Sequence, residues 1–253
     1  MSTEQQHTCT SCTLCAQREE HLQNEDPRHL IPSLCEDFYV KQWVTGTGGS
    51  ISIKHDNKYY ITPSGVHKER ILSQDLFVLD DKQQILSQPT NPSYTQSQCT
   101  PLFFNAYDLY HAGAVIHTHS IHSVMVTMLI KGNEWRITHQ EMIKGLRIGD
   151  TQDSYRYYDE IVVPIIENTA EEKDLKDRME AAMKKYPNAN AVLVRRHGIY
   201  VWGPTWQKAK GMCECYDYLL ELTVKLYSMG LQSLVTDMPE DSEYKDVPRI
   251  TGP

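Results

Sequence analysis

The sequence lacks the features that mark membrane, secreted and nucleic-acid-binding proteins. No apolar run approaches the roughly 20 residues of a membrane-spanning helix, and the most apolar stretch, residues 123–130, is too short. Residues 1–7 are polar, without the apolar segment of a secretory signal. Lys and Arg number 25 against 33 Asp and Glu, for a formal net charge of -8, and no Lys/Arg-rich run occurs. We therefore expect a cytoplasmic protein with no membrane or nucleic-acid partner.

A disulfide framework is also not expected. The seven cysteines are an odd number, which, without a secretory signal and in a chain of 253 residues, favours reduced thiols. Cys9, Cys12 and Cys15 have the spacing of half a zinc site, but no second ligand pair follows at suitable spacing. We interpret this segment as part of a disordered tail, with a metal site as the alternative.

The hydrophobic pattern divides the chain into three parts. Residues 1–26 are polar and without periodicity, which predicts a disordered N-terminal tail. Residues 27–229 contain every periodic apolar segment and are long enough to form one large domain with a substantial core. Residues 230–253 are acidic and contain prolines, and we expect little packing beyond the first turn of this segment.

Within residues 27–229, strand and helix patterns are mixed without strict alternation. The pattern predicts an α/β domain with a mixed or antiparallel sheet flanked by helices. The pattern predicts a hairpin between residues 51 and 61, a polar loop over 80–98, a helix with Thr100 as its N-cap, an edge or irregular strand around Pro164, and a charged helix over 170–186.

Three histidines occupy similar positions at the ends of predicted strands. His117 and His119 follow the apolar residues 114–116, and the side chains at i and i+2 of a strand point to one face. His197 follows the apolar strand 191–194 in the same way. Three histidines on strand ends are the ligand set of a catalytic zinc site with an open fourth position. The alternative for each histidine is an ordinary packed or solvated side chain.

Two turns rich in small polar residues precede the histidines. Residues 45–50 read Thr-Gly-Thr-Gly-Gly-Ser, and residues 62–65 read Thr-Pro-Ser-Gly. Glycine allows backbone N–H groups to approach an anion closely, and hydroxyl groups add donors. The first segment lacks the Gly-Lys-Ser/Thr of a P-loop. Taken alone, each segment is compatible with an ordinary turn.

The order of these motifs resembles the class II aldolase/adducin family. The resemblance covers about residues 27–229 and includes His-Thr-His at 117–119 and Arg-Arg-His-Gly at 195–198. Residues 97–101 and 137–145 look like a branch of that family that dehydrates a keto-sugar phosphate. The aldolase branch commonly has a glutamate after its serine-containing phosphate turn, where this sequence reads Ser97-Gln98-Cys99. Ser50 also stands where many aldolases have asparagine.

The resemblance implies a three-layer α/β/α fold, one catalytic Zn²⁺ per subunit and a homotetramer with active sites near subunit interfaces. It implies that His117, His119 and His197 bind the zinc, that Cys99 contacts the substrate and that Glu141 is the acid/base. Family position and donor chemistry together suggest a phosphate cradle formed by Thr47, Gly48, Ser64, Gly65 and Ser97.

The implied reaction removes water across C3 and C4 of a 2-keto sugar phosphate. Zinc would act as a Lewis acid that polarises the ketone and stabilises an enediolate. Glu141 would take the C3 proton and assist departure of the C4 hydroxyl group. Two alternatives remain open: a zinc-dependent aldolase acting on a sugar phosphate, and a non-catalytic interaction scaffold of the adducin type.

Overall fold

The computed structural model describes residues 25–237, 242–244 and 247–252. The predicted tail over residues 1–26, apart from its last two residues, lies outside this range, as do Cys9, Cys12 and Cys15.

The described part of the chain contains one nine-stranded sheet, in the order β4-β3-β2-β1-β5-β9-β8-β7-β6. Adjacent strands are antiparallel, except that β7 and β8 are parallel. The strands are β1 (Ser50–His55), β2 (Lys58–Ile61), β3 (Phe77–Leu79), β4 (Ile85–Ser87), β5 (Ala114–Thr118), β6 (Glu134–Ile137), β7 (Ile161–Ile166), β8 (Ala191–Val194) and β9 (Gly198–Gly203).

In the part of the chain that the structure describes, five α-helices accompany the sheet. They are α1 (Pro27–Val40), α2 (Thr100–Tyr110), α3 (Ile121–Leu129), α4 (Lys176–Lys185) and α5 (Trp206–Ser228), with shorter 3-10 helices at Lys68–Arg70, Ser73–Asp75, Glu141–Gly145, Glu172–Leu175 and Gln232–Val235. Within the described residues, no helix is long and apolar enough to cross a membrane.

The helices lie on both faces of the sheet and form three layers with it. Residues of α1, α3 and α5 share one hydrophobic cluster, and residues of α2 and α4 share another. Strand β5 serves both clusters, because alternate side chains of a strand point to opposite faces. Ala114 and Ile116 pack in the first cluster, and Val115 packs in the second. The predicted α/β/α fold with a mixed sheet is therefore confirmed.

Several local predictions need correction. Strand β4 lies within the predicted polar loop over 80–98, and Cys99 rather than Thr100 is the N-cap of α2. Strand β7 is not at the edge, because β6 pairs with it on its outer side. Its parallel pairing with β8 involves only Ile165 and Ile166, so Pro164 need not donate a hydrogen bond to β8.

The C-terminal segment packs more closely than its composition suggests. Val235 is buried in the same core cluster as α1, α3 and α5, and Ile250 packs against that cluster. The backbone N–H of Ile250 donates to the Asp159 carboxylate at 2.9 Å, and the Glu160 N–H donates to the Ile250 carbonyl group, also at 2.9 Å. These apolar residues are isolated in the sequence, so they form no periodic pattern that would predict their burial. For Ile250, far beyond the first turn of the segment, the expectation of little packing is wrong.

Candidate metal centre

The register of the central strands brings the three predicted ligands together. His117 on β5 lies directly opposite Tyr200 on β9. His119 follows the end of β5, and His197 immediately precedes β9. The Nε2 atom of His119 lies 2.9 Å from Nε2 of His117 and 3.0 Å from Nε2 of His197.

Contacts around each imidazole ring hold its Nε2 atom toward this common point. Nδ1 of His117 lies 3.0 Å from the Ile199 carbonyl oxygen. A carbonyl group can only accept, so Nδ1 carries the proton and Nε2 keeps a free lone pair. The His117 ring also stacks on Tyr200, with ring centroids 4.0 Å apart and planes 11° from parallel. Gly48 packs against the His119 ring so closely that a Cβ there would collide with it.

A carboxylate that the sequence did not indicate completes the cluster. Oε1 of Glu172 lies 3.0 Å from Nε2 of His117 and 3.5 Å from Nε2 of His197, and it accepts a hydrogen bond of 2.5 Å from Tyr200. The sequence pattern places Glu172 in the first turn of a helix predicted over 170–186. Glutamates are common at that position because they interact favourably with the helix dipole, so nothing suggested a role in a metal site. In the structure α4 begins only at Lys176, and Glu172 starts a separate 3-10 helix.

The electrostatics keep these side chains in the protonation states that bind a metal ion. Burial, together with the neighbouring imidazoles, lowers the pKa of His119 to about 3 and that of His197 to about 4. Burial alone would raise the pKa of Glu172, but the neighbouring His117 and His197 rings and the hydrogen bond that Tyr200 donates lower it well below its usual value. At neutral pH, His119 and His197 are therefore neutral and Glu172 is ionised.

The donor set fits a divalent metal ion. One potential ligand atom from each of the three histidines and Glu172 lies within 4.8 Å of every other. Imidazole nitrogen and carboxylate oxygen are ligands for zinc and related transition metals. Three imidazole ligands alone leave a fourth coordination position for a substrate, which is how a catalytic zinc site differs from a closed structural one.

Cys99 lies beside this cluster. It is buried at the N-terminus of α2, where Tyr200 and Glu172 are near enough to act on its pKa. Burial and the charge of Glu172 raise this pKa well above the usual value, so the side chain remains a thiol at neutral pH. The structure therefore gives Cys99 no feature of an activated nucleophile.

The residues predicted for the phosphate cradle differ in their surroundings. Ser64 lines a polar cavity of about 520 Å³ together with His119, His197 and Arg196. Thr47 and Gly65 are exposed in neighbouring loops. The backbone N–H of Gly48 donates to the Thr45 carbonyl group at 3.2 Å, so it is already used within its own loop.

Ser97 is buried, and its hydroxyl group forms hydrogen bonds with neighbouring protein groups. Its hydroxyl group lies 3.3 Å from the hydroxyl group of Ser50, and its oxygen accepts the backbone N–H of Cys99 at 3.2 Å. The Ser50 hydroxyl group also lies 2.7 Å from that of Thr62. These bonds connect the ends of both small-residue turns to the start of α2.

Glu141 does not join the cluster within its own chain. Its side chain is 75% exposed and forms an ion pair of 2.9 Å with Lys144 on the same 3-10 helix. It lines a different cavity, beside Tyr158 and Tyr244.

The sequence of the chain matches the family model described as the class II aldolase and adducin N-terminal domain over residues 29–224. The chain therefore belongs to the class II aldolase/adducin family. The solved structure of an L-fuculose 1-phosphate aldolase has the same fold, with a TM-score of 0.66, 18% identity, and coverage of 86% of this chain and 92% of that one. At this identity the likeness concerns the fold alone.

Within the family, closely similar proteins are methylthioribulose-1-phosphate dehydratases. The protein of that name from Aquarana catesbeiana is 60% identical over 86% of this chain and 91% of its own length. The Homo sapiens protein is 58% identical over 88% of this chain and 90% of its own length. A probable methylthioribulose-1-phosphate dehydratase from Dictyostelium discoideum is 59% identical, over 87% of this chain and 95% of its own length.

Proposed function

We propose that the protein is a hydro-lyase that converts 5-methylthioribulose 1-phosphate into 5-methylthio-2,3-dioxopentyl phosphate and water, in methionine salvage. The observation that carries this proposal is the near-full-length identity of about 60% with dehydratases of that name. The cluster of three histidines and Glu172 supports it, because it offers a metal centre of the kind that such a reaction needs.

The metal ion would be Zn²⁺, one per subunit, held by His117, His119 and His197 with Glu172 beside them. When bound there, it supplies the Lewis acid that polarises the C2 ketone of the substrate. Tyr200 holds Glu172 by its hydrogen bond and His117 by stacking, so these ligands are positioned in advance. The thiol of Cys99 would contact the substrate next to this centre.

The proton transfers are assigned to Glu141. It would remove the proton from C3 and return it to the C4 hydroxyl group, which leaves as water. The resulting enol, with its hydroxyl group on C3 and its double bond between C3 and C4, then tautomerises to the 2,3-diketone, with a new proton at C4. Because Glu141 lies outside the cluster of its own chain, we propose that it acts on the site of a neighbouring subunit in a homotetramer.

The phosphate group would lie among Thr47, Gly48, Ser64 and Gly65. Ser97 would stabilise these turns through its contact with Ser50, which in turn contacts Thr62. Ser64 supports this placement, because it lines the same cavity as His119 and His197. Gly48 contributes mainly by allowing the His119 ring to lie close to the loop. We place this activity in the cytoplasm.

The proposed function is tested by incubating purified, zinc-loaded protein with 5-methylthioribulose 1-phosphate and identifying the product by mass spectrometry and NMR. The expected product has lost one water and keeps all five carbons of its chain. Two smaller fragments would instead indicate an aldolase. Absence of any turnover, with less than stoichiometric zinc, would favour an interaction scaffold of the adducin type.

A further inference from the structure

Lys68 is a buried cation beneath the proposed phosphate cradle. Its side chain is only 1% exposed, although the charged sequence Lys68-Glu69-Arg70 is typical of a surface segment. Its ammonium group donates to the Thr47 carbonyl oxygen at 3.0 Å and to the Val66 carbonyl oxygen at 3.1 Å. Thr47 belongs to the first small-residue turn and Val66 immediately follows the second, so Lys68 joins the two segments.

The charge of Lys68 has no close anionic partner in the described part of the chain, where its side-chain hydrogen bonds go to two neutral carbonyl groups. Burying an ammonium group without a paired anion is costly, which is visible as a lowered pKa caused first by burial. The charge also acts on the metal cluster, since it contributes to lowering the pKa of His119. Lys68 does not line the polar cavity itself, but it holds Val66, two residues after Ser64, which does line it. A buried positive charge behind this wall of the cavity favours an anion there.

We propose that Lys68 is a positioning residue for the phosphate group of the substrate. It holds the turns around Thr47 and Val66 together, and its charge favours a phosphate group in the cavity that Ser64 lines. Arg196 lines the cavity directly, and Lys68 would add a second, buried positive charge behind the two turns, whose backbone N–H and hydroxyl groups carry no net charge. This inference rests on the proposed function only in taking the substrate to be phosphorylated.

The test separates the charge of Lys68 from its hydrogen bonds. Lys68→Gln removes the charge but keeps an N–H donor, and Lys68→Arg keeps the charge. Lys58→Gln, at an exposed position of the hairpin, is the matched control. Titration calorimetry with inorganic phosphate and kinetics with 5-methylthioribulose 1-phosphate are measured for each variant, together with zinc content and melting temperature.

Lys68→Gln should weaken phosphate binding and raise KM by about tenfold or more, with a smaller change in kcat and full zinc content. Lys68→Arg should retain most of the phosphate affinity, and Lys58→Gln should match the parent. If Lys68→Gln does not fold, Lys68→Met takes its place, since its unbranched apolar side chain fills the buried path of the lysine stem.

Unchanged phosphate affinity in folded Lys68→Gln would overturn the inference, as would equal losses in Lys68→Gln and Lys68→Arg. The same holds if the parent protein binds no phosphate at millimolar concentration. Failure of the proposed function is distinguishable, because it would abolish turnover in every variant while leaving the effect of charge on phosphate binding intact.

Discussion

Two glutamates with opposite surroundings define two regions of the molecule. Glu172 has a side chain only 21% exposed and lies among His117, His197 and Tyr200. Glu141 has a side chain 75% exposed and contacts Lys144 on a surface 3-10 helix. The first is placed by its own chain against a metal centre, whereas the second has the freedom of an ordinary surface carboxylate.

The difference shows how this chain divides its chemistry. Ligands that must stay fixed come from the ends of central strands, where the sheet and both core clusters hold them. The acid/base assigned by family resemblance lies on the exterior, outside the cluster of its own chain, which is why we propose that it acts on a neighbouring subunit. Under the proposed function, packing rather than residue type separates the carboxylate beside the metal ion from the carboxylate that carries the proton.

The largest expected effect comes from removing the strand-end centre. His197→Ala should abolish stoichiometric zinc binding and reduce turnover by at least about 10⁴-fold, since metal Lewis acidity and orientation are both lost. Zinc content is measured by mass spectrometry after metal-replete expression. The control is His111→Asn, because His111 is exposed with φ of 49° and asparagine tolerates that conformation. Full activity of His197→Ala would exclude the assigned centre.

The second largest expected effect is a loss of turnover when the exposed Glu141 is replaced. Glu141→Gln should retain zinc but lose roughly 10²- to 10⁴-fold in turnover, the usual contribution of a general acid/base. Lys144→Gln removes its ion-pair partner and should change turnover little.

Mixing subunits tests whether Glu141 acts on a neighbour. Refolding Glu141→Gln together with His197→Ala should restore part of the activity, because a mixed oligomer contains sites with an intact metal centre and an intact Glu141. No recovery in verified mixed oligomers would show that Glu141 acts within its own chain or not at all.

A smaller effect is expected at the buried glutamate. Glu172→Gln keeps the shape of the side chain but removes its charge, and it should weaken zinc affinity about 10- to 100-fold in competition with a chelator. Asp174→Asn, at an exposed position of the same 3-10 helix, is the control. If both variants bind zinc equally well, Glu172 does not contribute to the metal centre.

The sequence predicted much of this arrangement because its signals were local. The hairpin of β1 and β2 has the expected position. The strand-end context of His117 and His197 singled out two residues that the register of β5 and β9 then brings together. Family resemblance supplied the α/β/α layers and the dehydratase assignment, which periodicity alone could not give.

The remainder depended on contacts between distant segments. Glu172 reaches the cluster through a chain reversal before α4, and nothing in residues 170–176 distinguishes it from its neighbour Glu171. Lys68 is charged in a charged segment, and only the surrounding turns bury it. Polar residues that tertiary structure buries give no signal in a hydrophobic pattern, so the sequence alone could not identify them.

The smallest expected effect is a pH dependence of the stability of the metal-free protein, and it arises from the histidine cluster. In the metal-free protein, the pKa values of His119 and His197 are about 3 and about 4, below the value of 6.5 for an exposed histidine. Below pH 6.5 the unfolded chain takes up protons at these residues and the folded chain does not, so stability falls as the pH falls toward 4. Between pH 7 and pH 5 the loss should be about 1 to 2 kcal/mol per histidine. Urea unfolding with a chelator present measures it.

The double variant His119→Asn/His197→Asn provides the control for this measurement. It should show a flatter dependence between pH 7 and pH 5, since the two residues that resist protonation are gone. Glu172 does not complicate this range, because its lowered pKa adds stability that is lost only below its unfolded value of about 4.5. An identical pH dependence in the double variant and the parent would mean that the histidines are not held neutral by burial.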